Sequence, residues 1–171
     1  MLMHTMIESP LGDLTAVASS GEMVGLYFHH HWYMPASSTL GVRAWLGTEN
    51  DTGFDELRRQ LGEYFDGERR EFGIPLRAAG NDLQRRVWGL LRQVPYGETS
   101  TYGQLARELA DGTTPQDVGA AVGRNPLSIL VPCHRIVGST GKLTGYAGGL
   151  RRKQFLLDLE RSRAEHPTRL F

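Results

Sequence analysis

The chain is nearly devoid of cysteine. One thiol, Cys133, occurs in 171 residues, which excludes an internal disulfide framework and a zinc site built on paired cysteines. Long apolar runs are also missing. None approaches the ~20 residues of a bilayer-spanning helix, and the opening MLMHTMIESP has neither the basic segment nor the apolar core of a signal peptide. The expectation is a cytosolic protein whose thiol stays reduced. Net charge is zero, with 19 basic and 19 acidic residues, but it is unevenly spread. Residues 1–80 hold 6 basic and 11 acidic side chains, net −5, and residues 81–171 hold 13 and 8, net +5. Phosphate-binding surfaces are made by clustered Lys and Arg rather than by whole-chain charge. The C-terminal half is therefore the expected face for nucleic acid.

A hydrophobic content of 40% with 22% charged residues suits a packed soluble protein, and the length fits one domain or two small ones. The reading here is two, divided as 1–80 and 81–171. Residues 3–27 alternate apolar positions (Ile7, Leu14, Ala16, Val24) between the turn signals Ser9-Pro10-Leu11-Gly12 and Ser19-Ser20-Gly21, which predicts an antiparallel meander. His29-His30-His31-Trp32 reads as a surface turn, because three adjacent histidines converge on one ion only if the backbone bends sharply. Residues 35–52 read as a loop. Residues 54–67 carry Leu57, Leu61, Tyr64 and Phe65 at helical spacing, and 68–79 read as a last strand running into a linker. Nothing in the first half carries recognisable chemistry, so it is taken as a supporting α/β unit.

The second half reads as helices. Asn81 or Asp82 caps the first, with Leu83, Val87, Leu90 and Leu91 along one stripe. Ser100 or Thr101 starts a second over 102–110, and Thr113 or Thr114 with Pro115 starts a third running to about Arg124. The last two, joined by a three- or four-residue turn, make a helix-turn-helix. Its second helix presents Gly119, Ala120, Ala121 and Gly123 instead of the Arg, Asn or Gln that read base edges, a pattern suited to close, sequence-independent contact. Asn125-Pro126 closes that helix and leads into a strand containing Cys133. Glycines crowd 138–149, a loop able to form a pocket wall, and a final helix over 151–163 turns Phe155, Leu156 and Leu159 inward.

The chemistry concentrates in residues 130–138, LVPCHRIVG. A lone cysteine is ordinarily a small core hydrophobe. Here Pro132 precedes it and His134-Arg135 follow, supplying the base and the positive charge that a thiolate nucleophile needs. In a regular strand, however, neighbouring side chains point to opposite faces, so His134 meets the thiol only if the chain bends or a water links them.

Pro132-Cys133-His134-Arg135 in this setting resembles the acceptor motif of the O6-alkylguanine-DNA alkyltransferases, and the likeness is dense from Asp82 to Glu160. The resemblance implies an α+β protein: a small N-terminal α/β domain with a ribonuclease H-like antiparallel sheet plus helix, then a mostly helical, winged-helix-like C-terminal domain with the helix-turn-helix. It implies suicide repair, in which the alkyl group of O6-alkylguanine, and also of O4-alkylthymine, passes irreversibly to Cys133. It implies a relay of Cys133, water, His134 and Glu160, with Tyr102 assisting the departing guanine and Asn125 linking the recognition helix to the site. Tyr146, the backbone of Ala147, Ile136 and Lys153 would shape the guanine pocket. Gln116, Gly119, Ala120, Gly123, Arg124 and Arg135 would face the minor groove of duplex DNA. No metal or cofactor is called for, and a monomer is expected. Two positions depart from the family pattern: Gln116 stands where an arginine finger is usual, and Ala147 replaces a commoner serine. A cysteine hydrolase, a transcription factor and a lesion sensor are the alternatives. The first lacks a papain-like signature, the second has no use for PCHR, and the third would lack Cys133.

Overall fold

The computed structural model describes residues 2–29 and 48–165. The histidine run beyond His29, and the loop reading up to residue 47, lie outside them. The first half is built on strands β1 (Leu2–Ile7), β2 (Leu14–Ser19) and β3 (Glu22–Phe28), a meander as the alternation predicts. Its β2–β3 turn has positive φ at both Ser20 and Gly21 (52° and 81°), the mirror-image turn whose twist matches a hairpin. Part of the expected loop is a short strand instead: β4 (Thr48–Glu49) runs parallel to β1, so the sheet order is β3-β2-β1-β4. Asp51, beyond β4, accepts from Thr5 and pairs with Arg58 at 3.2 Å, tying this edge to the following helix, α1 (Asp55–Phe65).

Residues 68–79 do not form the expected strand. Pro75 has no N–H to give a ladder, and contact with the sheet reduces to one parallel bridge, in which Met23 donates to the Pro75 carbonyl and Arg77 donates to that of Met23, both at 2.9 Å. The same outer edge of β3 receives a second segment. Leu26 donates to the Pro126 carbonyl (2.8 Å) and accepts from the Ser128 amide (3.2 Å). The sheet thereby holds the start of the cysteine-bearing run.

The helices of the second half follow their caps. Asn81 and Gln84 close a capping box on α2 (Asp82–Leu91), Thr101 caps α3 (Tyr102–Leu109), and Thr114 and Asp117 close a second box on α4 (Pro115–Gly123). The α3–α4 link, 110–114, is longer than expected because Ala110 and Gly112 both take left-handed φ before the Thr114 cap. Val87, Trp88 and Leu91 pack on Leu105, Val118, Ala121 and Val122 in a single core that also takes in Leu26, Phe54 and Tyr64 of the first half. Two short strands, β5 (Ser100–Thr101) and β6 (Ile136–Val137), pair in parallel beside the helices. The last helix, α5 (Leu150–Glu165), departs from its reading. Lys153, Leu156, Leu157 and Glu160 face inward and Phe155 is 37% exposed. Among the described residues no helix is long and apolar enough to cross a membrane.

Candidate active site

Residues 127–135 are a succession of tight turns, not a strand. Val131 donates to the Leu127 carbonyl, Cys133 to Val131 and Arg135 to Pro132, and residues Cys133–Arg135 close a 3-10 turn. Ile129 has φ +71°, a costly conformation for a β-branched residue, on the order of 1–3 kcal/mol. The Asn125 side chain fastens this path: Oδ1 accepts from the Leu127 amide (3.0 Å) and Nδ2 donates to the Val131 carbonyl (2.9 Å). The turn removes the objection that adjacent strand residues face apart, and it buries Cys133, His134 and Arg135 together.

His134 is fully buried, and its Nε2 lies 2.7 Å from Glu160 Oε2. Arg135 grips the same carboxylate from the side, Nε to Oε1 at 2.7 Å and Nη2 to Oε2 at 3.1 Å, and donates from Nη1 to the Val94 carbonyl at 2.8 Å. Burial alone would raise Glu160, but the hydrogen bonds from His134 and Arg135, with the fixed charge of Arg135, outweigh it and hold the carboxyl well below the carboxylate range. Burial, aided by Arg135 and Lys153, holds His134 below its ordinary value against the pull of Glu160. The pair is thus a neutral imidazole on an ionised carboxylate. A carboxylate only accepts, so Nε2 carries the proton and Nδ1, which has no hydrogen-bond partner among the described residues, is left basic.

Burial pushes the Cys133 thiol up, against the opposing effects of Asn125, the Lys153 charge and Tyr146. It rests as a thiol and needs a base to ionise. Lys153, also buried, donates to the Thr144 carbonyl at 3.0 Å, and burial brings its ammonium down to about 8. The Tyr146 hydroxyl lies beside the thiol and the Ser128 hydroxyl beside Tyr146, and among the described residues neither closes a hydrogen bond of ordinary geometry. Tyr102 and Tyr146 are both raised, chiefly by burial, and keep their protons. Thr144 donates to the Tyr102 hydroxyl at 2.9 Å, leaving that phenol's own proton free to point elsewhere.

An open, mainly apolar cavity of about 420 Å³ lies between α4 and the glycine-rich loop. Tyr102, Gln116, Gly119 and Gly123 line one side, and Thr144, Gly145, Tyr146 and Ala147 the other. Gln116, Ala120 and Arg124 are exposed along α4 and its end. Ile136 is fully buried in β6 and does not line the cavity. Arg135 is not on the DNA face that the family resemblance implies: Glu160 and the Val94 carbonyl hold its guanidinium inside, 5.7 Å from the Tyr96 ring. Tyr64 went unrecognised. Its hydroxyl donates to Glu160 Oε2 at 2.6 Å, although in sequence it is one more apolar position on an amphipathic helix and gives no signal of chemistry.

Comparison with known proteins gives concordant matches over nearly the whole chain. Residues 82–162 match the family described as 6-O-methylguanine DNA methyltransferase, DNA binding domain, and residues 2–78 its ribonuclease-like domain. The chain is 42% identical over 171 residues to a methylated-DNA–protein-cysteine methyltransferase of Mycolicibacterium paratuberculosis, covering 100% of this chain and 99% of that one. It is 41% identical over 160 residues to a protein of the same name from Methanosarcina acetivorans, covering 93% and 98%. Among solved structures, the O6-methylguanine methyltransferase of Mycobacterium tuberculosis superposes with a TM-score of 0.85 at 41% identity, covering 99% of this chain and 97% of that one. A Mycobacterium tuberculosis OGT in complex with DNA superposes with a TM-score of 0.84 at 38% identity, covering 94% of each.

Proposed function

The chain belongs to the 6-O-methylguanine DNA methyltransferase family, and on that premise we propose that it repairs DNA by direct reversal, moving the alkyl group of O6-alkylguanine once and irreversibly onto Cys133. The observation that carries this reading is the burial of the only thiol together with the next residue in the chain, a neutral imidazole whose Nε2 is held by an ionised carboxylate. The thiol proton passes to His134 Nδ1, directly or through a water. The thiolate then attacks the alkyl carbon in line, the S–C bond forming as the C–O6 bond breaks. The electron pair of that bond leaves with guanine, which takes up a proton as Tyr102 donates to it. A thioether has no hydrolytic exit, so each chain acts once. O4-alkylthymine offers the same carbon–oxygen bond and is a second substrate.

The lesion must leave the duplex to reach the cavity, at a cost of a few kcal/mol. The partner is duplex DNA, met through the minor groove by α4 of a monomeric chain, where Gly119, Ala120 and Gly123 let the backbone approach closely. Residues 81–171 form the DNA-binding and acceptor domain and 1–80 its support. Binding should be sequence-insensitive, with log affinity falling linearly in log salt by about 0.9 per neutralised phosphate. Titration of the protein against a methylated duplex should end at one methyl per chain. Catalytic turnover, or salt-independent binding to one preferred sequence, contradicts the proposal.

Gln116 stands exposed at the cavity mouth, in the position where the family usually places an arginine. Its amide can bond the orphaned base but brings no charge to the phosphates, and Asp117 beside it is repelled by them. Gln116→Arg should speed transfer from duplex DNA on the order of tenfold, the worth of one charge-assisted contact. Transfer from free O6-methylguanine should not change, since the relay is untouched. Parallel single-turnover rates on both substrates decide this; an equal or slower duplex rate means the flipped base is supported elsewhere.

A further inference from the structure

Glu160 Oε2 accepts from three donors, and one of them comes from the other half of the chain. Tyr64 of α1 is fully buried, and its hydroxyl reaches this oxygen at 2.6 Å, beside His134 Nε2 at 2.7 Å and Arg135 Nη2 at 3.1 Å. Phe65 and Phe72, each 5.4 Å from the phenol ring between centroids, and Tyr96 at 6.3 Å hold it in place. A phenylalanine would fill the same space without a polar atom to satisfy. Buried hydroxyls persist where they have a partner, and here the partner is the carboxylate that orients the imidazole.

From this geometry we infer that Tyr64 is a positioning residue for alkyl transfer, contributed by the N-terminal half: it fixes the orientation of Glu160 and, by sharing Oε2 with His134, sets the basicity of the imidazole. The inference deepens the relay proposed above and rests on it. Burial and the facing carboxylate raise the phenol well above its ordinary value, so Tyr64 acts only as a donor. An oxygen that already accepts from a phenol and a guanidinium is a weaker acceptor for Nε2–H. That keeps His134 neutral, with Nδ1 ready for the thiol proton. The other groups facing this cluster are few. Glu160 also meets Arg135 and influences Tyr96 and Tyr146, His134 feels the charges of Arg135 and Lys153, and Cys133 faces Asn125 and Tyr146, feels the Lys153 charge and influences Tyr102.

Tyr64→Phe removes one oxygen and keeps the ring. Single-turnover transfer should slow by about tenfold, the effect of one hydrogen bond to a charged group. The acid limb of its rate–pH profile should move up by roughly half a pH unit, because His134 protonates more readily once Glu160 loses a competing donor. Duplex affinity should not change. Glu160→Gln run in parallel separates the layers. If it keeps the rate and profile of the unaltered chain, the relay is wrong and the Tyr64 inference falls with it. If it is slow while Tyr64→Phe matches the unaltered chain, only the Tyr64 inference is overturned. A slower Tyr64→Phe plateau with an unmoved acid limb marks a packing role and overturns it too. A measurement on the unaltered chain does not depend on any variant folding: the Tyr64 hydroxyl proton should give a slowly exchanging, downfield resonance. A phenol proton in fast exchange with water overturns the inference.

Discussion

Cys133→Ala is expected to abolish methyl uptake by the protein while leaving its affinity for duplex DNA unchanged. Only a sulfur nucleophile makes the bond, and no second cysteine exists to substitute. His134, Tyr102 and Lys153 remain in place in the variant, but none offers a soft, ionisable atom at that position. The side chain is buried among apolar neighbours, so replacing the thiol by a methyl leaves a small void worth on the order of 1 kcal/mol, too little to unfold the domain. The contacts proposed for DNA come from α4 and the exposed Arg124, not from the thiol. Labelled-methyl uptake and fluorescence anisotropy on the same preparation check both halves. An alanine variant that still takes up methyl groups removes Cys133 from the mechanism.

Glu160→Gln should damage stability and rate together. Glu160 is 1% exposed and its partners Arg135 and His134 are buried with it, so an amide leaves the guanidinium as an uncompensated interior charge. Breaking a buried pair this way costs about 3–5 kcal/mol. Transfer should fall on the order of a hundredfold, since a neutral amide no longer fixes the His134 tautomer. The pH dependence of stability has a definite sign. His134 is lowered in the folded chain, so below an ordinary histidine value of ~6.5 the unfolded chain takes up a proton that the folded chain refuses, and stability falls. Glu160 is lowered as well; its contribution is complete above ~4.3 and is lost as pH falls from there towards its folded value. The unaltered chain should therefore lose stability in two steps on acidification. In Glu160→Gln the second should shrink to what the exposed carboxylates Asp51, Glu56 and Asp111 contribute. Urea midpoints across pH 3–8 show which steps remain; two intact steps in the variant would mean another carboxylate carries the acid sensitivity.

Much of this arrangement was legible in the sequence because local chemistry dictates it. The β2–β3 turn at Ser20-Gly21, the helix starts at Asn81 or Asp82 and at Thr113 or Thr114 with Pro115, and the Cys133 motif each announce themselves within a few residues. What was not legible depends on contacts far apart in the chain. Arg135 reads as a surface cation because nothing local shows that Glu160, on another helix, will bury beside it. Lys153 and Glu160 occupy the inward face of α5 against the hydrophobic pattern, since each has a polar partner there and an apolar side chain would not. Tyr64 is hidden for the same reason, its partner lying 96 residues away. The cysteine run misreads as a strand because its apolar spacing resembles one, whereas Pro132, the Asn125 clamp and the left-handed Ile129 fold it into turns.

Repair by this chain is one covalent event, and mass spectrometry can see it directly. The unaltered chain is incubated with a duplex carrying a single O6-methylguanine labelled in the methyl carbon, then weighed intact and digested. The prediction is a gain of one CH2 unit per chain, confined to the peptide containing Cys133, growing in step with the loss of the lesion and stopping when either reactant is exhausted. Label on His134, Tyr102 or any other side chain, or disappearance of the lesion with no change in protein mass, would contradict it.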